Sequence, residues 1–305
     1  MMKHYSVMLN ETITMLDVKP NGIYVDGTLG RGGHSLEILK RLDKGQLYVF
    51  DLDLTAIAEA KERLKDYDNV TYIHDNFANF ANYFEDNSID GIVLDLGVSS
   101  PQFDDESRGF SYRFDSHLDM RMNLEQKKSA YGVVNTYSKE ELARVFKEYG
   151  EEPFAYKIAD KIVKERATKP IETTFELVEV IKSVLPAKVL AKKGHPAKQC
   201  FQALRIEVNG ELDSLKQFLD TFKDKLKPDG TTCIITFHSL EDRLVKICFN
   251  ELTKVKVDKR IALTPDQIEK APFELLNHKV IVASEDELNE NSRSKSAKLR
   301  GIRKR

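Results

Sequence analysis

The chain contains no run of 18 apolar residues, so nothing in it predicts a membrane-spanning helix. Its first residues, MMKHYSVMLNET, lack the apolar core of a secretory signal. Cysteine is scarce: Cys200, Cys233 and Cys248 stand among apolar neighbours at spacings that fit neither a zinc site nor a disulfide framework. Buried thiols in a reducing cytoplasm, and no bound metal, are the expectation. A large charge imbalance is missing too. The net charge is −2, so any contact with nucleic acid must come from local basic patches. Neither the G-x-G-x-x-G spacing of a dinucleotide fold nor the Gly-Lys-Ser/Thr of a triphosphate loop occurs, and there is no internal repeat. What remains is an ordinary globular composition, 31% charged and 41% hydrophobic, in 305 residues, enough for one large domain or two modest ones.

Strand and helix patterns alternate through the first hundred residues. Strands read at Gly22–Asp26, Gln46–Phe50, Val70–Ile73 and Gly91–Leu94, with helices between them, one at about Ser35–Leu42 and one at about Leu54–Lys65. This predicts a mainly parallel α/β sheet. From about Phe103 the pattern changes: Phe103–Arg121 is loop-like, mixing aromatics with charges, and three helical segments follow with no strand between them. Ser138–Tyr149 and Thr173–Leu185 open with capping boxes, Ser138 with Glu141 and Thr173 with Glu176, and Pro153–Ala167 opens with a first-turn proline. A long helix reads from about Ala197 to Lys225. Strand character returns at Thr231–Phe237, followed by a helix at Leu240–Leu252 and a late strand at Lys279–Ala283, while Ser292–Arg305, with seven Lys/Arg and no acid, reads as a basic tail. The expected organisation is one α/β domain, residues 1–103 plus 208–305, interrupted by a helical insert at 104–207.

The strongest local signal is Asp26-Gly27-Thr28-Leu29-Gly30-Arg31-Gly32-Gly33-His34, between a strand and a helix. Glycines there let the backbone turn tightly and approach a ligand closely. Asp51 ends the second strand, where a carboxylate can accept hydrogen bonds from both hydroxyls of a ribose. Phe77 could lie against an adenine face, with Asp75 or Asn76 at its polar edge, and Asp95 ends the fourth strand. Each residue alone has a plainer reading: a turn, a helix cap, a core aromatic. Their order along one sheet edge points to a nucleoside-type cofactor.

Asp95-Leu96-Gly97-Val98-Ser99-Ser100-Pro101-Gln102 stands where amino-group methyltransferases hold their acceptor. A Ser-Pro turn capping a helix is the alternative. An exocyclic amine is a poor nucleophile whose lone pair is delocalised into the ring, so positioning and electrostatics carry such chemistry without a covalent intermediate. His238 ends a later strand and could take the amine proton or touch the base, although His238–Asp242 also suits a helix start capped by Ser239 and Glu241. Asp119 could reach the same site or simply pair with Arg121. Between Val180 and Ile206 lie six Lys/Arg and no acid; Lys192, Lys193, Lys198 and Arg205 are candidates for RNA phosphates, or for a solvated face.

These segments together resemble the bacterial 16S rRNA (cytosine-N4)-methyltransferases of the RsmH (MraW) family. The matching stretches are HYSVMLNET, DGTLGRGGHS, DLGVSSPQFDDESRGFS, LDMRM, YGEE, HPAKQCFQALRIEVN, ITFHSLEDR and SRSKSAKLR, in order along nearly the whole chain. The resemblance implies a class I S-adenosylmethionine (SAM) methyltransferase sheet with a helical substrate-recognition insert. It implies SAM contacts at Gly32, Gly33, His34, Asp51, Phe77, Asp95 and Gln102. It also implies a decoding-centre cytosine of 16S rRNA as the target, methylated within the small ribosomal subunit. Ser99, Ser100, Pro101, His238 and Asp119 are the catalytic candidates. Where amino methyltransferases usually carry Pro-Pro-aromatic, this chain has Pro101-Gln102-Phe103, which leaves Phe103, Phe110 or Tyr112 as the stacking aromatic. A DNA or small-molecule amino methyltransferase, a dinucleotide oxidoreductase and a SAM-sensing assembly protein are the competing readings; monomer and homodimer are both open.

Overall fold

The structure is a computed structural model and describes residues 6–97, 105–255 and 270–305. The chain forms two compact units, Met1–Gly97 with Leu212–Arg305, and Val98–Glu211. The division falls at 97/98 and 211/212, a few residues outside the insert expected from sequence.

The first unit holds a seven-stranded sheet: β1 (Ile23–Asp26), β2 (Gln46–Asp51), β3 (Val70–His74), β4 (Ile89–Asp95), β5 (Leu226–Thr236), β6 (Phe273–Leu275) and β7 (Lys298–Lys304), in the order β3-β2-β1-β4-β5-β7-β6. The strands β3, β2, β1, β4 and β5 run parallel, and β7 lies antiparallel between β5 and β6. Successive residues alternate between two cores, as the period-two geometry of a strand requires. Tyr24, Val49, Val93 and Cys233 pack on one face, and Val25, Phe50, Leu94 and Ile234 on the other. Both faces are covered, which is why these strands read as continuous apolar runs. From β1 the chain builds outward to β2 and β3, then returns to β4 on the other side of β1. That reversal opens a crevice at the carboxyl ends of β1 and β4, where open α/β sheets bind ligands.

The helices of this unit are α1 (Leu9–Leu16), α2 (Gly33–Leu39) and α3 (Leu54–Arg63) before the insert. Asp53 caps α3 by accepting the Thr55 N–H at 2.9 Å. The connection from β3 to β4 is a 3-10 turn at Phe77–Tyr83 rather than an α-helix. The second unit contains α4 (Ala130–Thr136), α5 (Lys139–Glu148), α6 (Ala155–Arg166), α7 (Thr174–Val184), α8 (Ala187–Leu190) and α9 (Lys198–Asn209), around a core that includes Leu142, Phe146, Ile158, Leu177 and Leu204. Both capping boxes form: Ser138 and Glu141, and Thr173 and Glu176, exchange side-chain and backbone bonds. After the insert follow α10 (Glu211–Lys225), α11 (Ser239–Leu252) and α12 (Glu285–Glu290).

Three expectations are corrected. The long helix over 197–225 is two helices, because Gly210 sits at φ 62° and ends α9 in a left-handed turn. Lys279–Ala283 is not a strand; only Ile281 forms an isolated bridge, to Leu299. Ser292–Arg305 is not a tail. Its second half is β7, whose charges are spent inside the unit: Lys298 and Arg300 reach Asp242 at 3.0 and 2.7 Å, Arg305 reaches Glu274 at 2.7 Å, and Lys304 donates to the carbonyls of Lys223 and Leu226.

A Cβ on Gly210 would meet nothing within 4 Å, so Gly210→Ala tests the backbone conformation alone. It should destabilise by about 1–2 kcal/mol in urea unfolding, the cost of a left-handed L-residue. An unchanged midpoint would show that the helix break is not held by this residue.

Candidate active site

Three parallel strands end in aspartate at one edge: Asp26 on β1, Asp51 on β2 and Asp95 on β4. Asp26 is 2% exposed; it accepts the Ser35 hydroxyl at 2.6 Å and the Thr28 N–H at 3.1 Å. Burial outweighs those bonds and pushes its carboxyl up to about 6. Asp51 accepts the Gly30 N–H at 2.8 Å through one oxygen and the Asp53 N–H at 2.9 Å through the other, which ties the glycine loop to the end of β2. Burial raises it to about 6 as well. Each of its oxygens keeps a lone pair, so the carboxylate can still receive two further donors.

The backbone N–H of Asp95 donates to the Thr28 hydroxyl at 2.6 Å, but its side-chain Oδ1 is buried and has no partner. Burial comes first, then the charges of Asp26, Glu241 and Glu287, in holding this carboxyl well above the usual range. An orphaned acceptor in such surroundings is costly unless a ligand supplies a donor or a positive charge.

Gly32 caps α2 at φ 70°, a backbone that L side chains adopt only at a cost. Gly33 is required for a different reason: a Cβ there would fall 1.7 Å from Ser6 Oγ. The segment before α1 therefore lies against the loop, and the Val7 carbonyl accepts a hydrogen bond from His34 Nε2 at 3.1 Å. His34 is buried, which lowers it to about 4, so the ring is neutral; its Nδ1 lies 4.0 Å from Asp95. Phe77 is half-buried at the start of the 3-10 turn, edge-on to Phe218 at 6.0 Å. Asp75 and Asn76 are used to build that turn: Asp75 accepts from Asn79 and Tyr83, and Asn76 caps it and donates to Ser214.

At the end of β5, His238 is the cap of α11. Its Nδ1 accepts the Glu241 N–H at 3.4 Å, while Glu241 Oε2 accepts the Phe237 N–H at 2.8 Å. The cap is thus His238 rather than Ser239, which is the first helical residue; Glu241 is its boxing partner. With Nδ1 accepting, the neutral imidazole carries its proton on Nε2. Nε2 is buried and lies 3.1 Å from Glu241 Oε1, at an angle that makes no hydrogen bond.

In the other unit, Asp119 is held by Arg121 through both oxygens, at 2.7 and 2.8 Å. Burial would raise this carboxyl, yet the Arg121 bonds prevail and hold it below the carboxylate range. Arg205 forms a fork with Glu211 at 2.8 Å, both ends largely buried, so it is not available to phosphate as the sequence suggested. Lys192, Lys193 and Lys198 are exposed. Ser99, Ser100, Pro101, Gln102 and Phe103 lie outside the described residues.

Comparison with known proteins decides the family. The model of the MraW methylase family matches residues 1–305. The chain belongs to the MraW methylase family. Two curated relatives from Clostridium botulinum, strains Loch Maree (type A3) and 657 (type Ba4), are 53% and 52% identical over 312 residues, covering 99% of this chain and 99% of theirs; both are named ribosomal RNA small subunit methyltransferase H. A solved rRNA methylase from Streptococcus thermophilus superposes with a TM-score of 0.40 at 13% identity, covering 100% of this chain and 98% of that one, a likeness too slight to add to the assignment.

MraW methylases take their methyl group from SAM, and this chain is a SAM-dependent methyltransferase. The edge fits such a cofactor. SAM is a nucleoside with a positive sulfonium, and the crevice offers a carboxylate with free lone pairs at Asp51, an orphaned acceptor at Asp95, a half-buried aromatic at Phe77 and, among the described residues, no lysine or arginine paired with the three aspartates. Sequence reasoning missed Asp26 and Ser35 as parts of this edge; the strand-terminal position of Asp26 was the available signal.

The sign of the titration follows from linkage. Asp26 titrates at about 6 in the fold against an ordinary 3.8, so the folded state binds more protons in between, and this group's contribution to stability falls as pH rises from 4 to 7. Wild type minus Asp26→Asn stability should therefore be larger at pH 4 than at pH 7, by up to about 3 kcal/mol. Paired denaturant curves giving a pH-independent difference would contradict the assignment.

Proposed function

We propose that this MraW methylase transfers the methyl group of SAM to the exocyclic N4 amine of a decoding-centre cytosine in 16S rRNA, within the small ribosomal subunit in the cytoplasm. The observation that carries the reading is a strand edge of buried and half-buried carboxyls and a neutral imidazole, with no thiolate among the described residues. Burial raises all three thiols, Cys248 to about 11 and Cys200 and Cys233 further, so none is a thiolate at neutral pH. Direct in-line transfer suits such a site. The names of the curated relatives support a small-subunit rRNA acceptor.

When bound, SAM supplies an electrophilic methyl group on a positive sulfur. Asp51 receives the ribose hydroxyls, the Gly32–Gly33 backbone passes beside the cofactor, Phe77 flanks the adenine, and Gln102 completes the set. Asp95 and the neutral His34 line the crevice, and Asp95 Oδ1 provides an acceptor for a cationic or N–H donor. The amine must be pyramidalised and aimed, which calls for acceptors around it rather than a strong base. His238 is a positioning donor through Nε2–H, because its only acceptor nitrogen is spent on the helix cap. Ser99, Ser100 and Pro101 hold the amine. The unit Val98–Glu211 recognises the RNA, with Lys192, Lys193 and Lys198 at its phosphates; Asp119 shapes that unit through Arg121.

Incubation with methyl-labelled SAM and small subunits lacking the modification should place label on N4 of a single cytosine, read by nucleoside mass spectrometry. Absence of label despite SAM binding would overturn the acceptor. Asp51→Ala should weaken SAM binding at least ~tenfold in calorimetry, since two hydrogen bonds to a charged acceptor are lost. Unchanged affinity would remove Asp51 from the ribose site.

A further inference from the structure

In the unit Val98–Glu211, Tyr112 and His195 stack face to face, with ring centroids 4.1 Å apart and planes within 9° of parallel. Both are half-buried, and Tyr112 also stands edge-on to the buried Phe201 at 5.6 Å. His195 is fixed by the turn that enters α9. Its Nδ1 accepts the Ala197 N–H at 3.3 Å, and its carbonyl accepts the Lys198 N–H at 3.1 Å. Burial and the charge of Lys182 hold the imidazole below its usual range, so the ring is uncharged at neutral pH. Tyr112 takes one face of the ring, and the residue as a whole stays partly open to solvent.

The structure also sorts the basic run around it. Lys182 pairs with Glu179 and Arg205 with Glu211. Lys188, Lys192, Lys193 and Lys198 are exposed and make no ion pair or side-chain hydrogen bond among the described residues. They stand on both sides of His195 in the chain. Lysines alone would make a solvated face. Here they surround an immobilised, uncharged aromatic ring, a pairing that suits single-stranded nucleic acid: bases stack on aromatic faces, and lysines meet the phosphates on either side. A ring already held by Tyr112 and by its own turn loses little freedom on binding.

We propose that the face of His195 turned away from Tyr112 is a stacking platform for an unpaired base of the RNA substrate, with Lys192, Lys193 and Lys198 holding the flanking phosphates. This rests on the reading of RNA as the substrate. The platform orients the strand and takes no part in methyl transfer.

Filter binding of the full-length protein to unmodified small ribosomal subunits, over a salt series, tests it. His195→Asn keeps an acceptor for the turn and removes the ring; affinity should fall about tenfold or more. His195→Phe restores the face without the acceptor and should stay within about threefold of wild type. Replacing Lys192, Lys193 and Lys198 by Ala should lower the slope of log affinity against log salt by about 2. SAM affinity, measured by calorimetry, should be unchanged in all three. Wild-type binding by His195→Asn, or an unaltered salt slope in the lysine variant, overturns the proposal. Equal loss in His195→Phe and His195→Asn overturns it too, because an aromatic face at this position then fails to restore binding. Failure of the wild-type protein to bind subunits would instead bring down the RNA reading, and this platform with it.

Discussion

Three strands end in aspartate at the same edge of the sheet, and each of those carboxyl groups is taken out of water. Water would have solvated them; the fold replaces it with a few fixed donors. Ser35 and the Thr28 N–H serve Asp26, and the N–H groups of Gly30 and Asp53 serve Asp51. Burial still prevails, since both carboxyls titrate near 6. An edge so short of positive charge is tuned to favour a cationic ligand, because the desolvation already incurred strengthens any attraction that follows.

That same network holds the loops in place. Gly30 is tied to β2 by Asp51, Thr28 to β4 by the Asp95 N–H, and His34 to the N-terminal segment by the Val7 carbonyl. The cofactor crevice is therefore shaped by hydrogen bonds between strand ends rather than by any one loop.

Much of this was legible from sequence because it is local. The short continuous apolar runs marked the parallel strands, aspartates stood at their ends, and the capping boxes at Ser138 and Thr173 are written within four residues. What was not legible depends on partners far away in the chain. Lys298 and Arg300 look like tail charges until Asp242 is seen opposite them, and only then do Leu299 and Ile302 emerge as buried residues on the two faces of an interior strand. Arg205 looked free for phosphate because Glu211 lies just beyond the end of the acid-free run. Gly210 was passed over because the apolar spacing continues on both sides of it; only the left-handed backbone reveals the break. At the site, Asp51 and Asp95 were found, but the part played by buried Asp26 and the commitment of His238 Nδ1 to a cap are consequences of packing that no spacing encodes.

The commitment of His238 Nδ1 bears on how the chemistry is divided. An imidazole or thiolate base beside the acceptor would need an unspent lone pair and a pKa near neutrality. His238 has given its lone pair to α11, His34 is neutral with Nε2–H bonded to Val7, and the thiols are held protonated by burial. What the described edge can offer the acceptor is therefore geometry and carboxyl oxygens. For an aromatic amine that is sufficient. Its nucleophilicity is limited by delocalisation of the lone pair, and hydrogen bonds that pull the N–H groups out of the ring plane return that lone pair to nitrogen. The proton becomes acidic only as the new bond to carbon forms, so it can leave late, to solvent or to a carboxylate, without a dedicated base waiting for it.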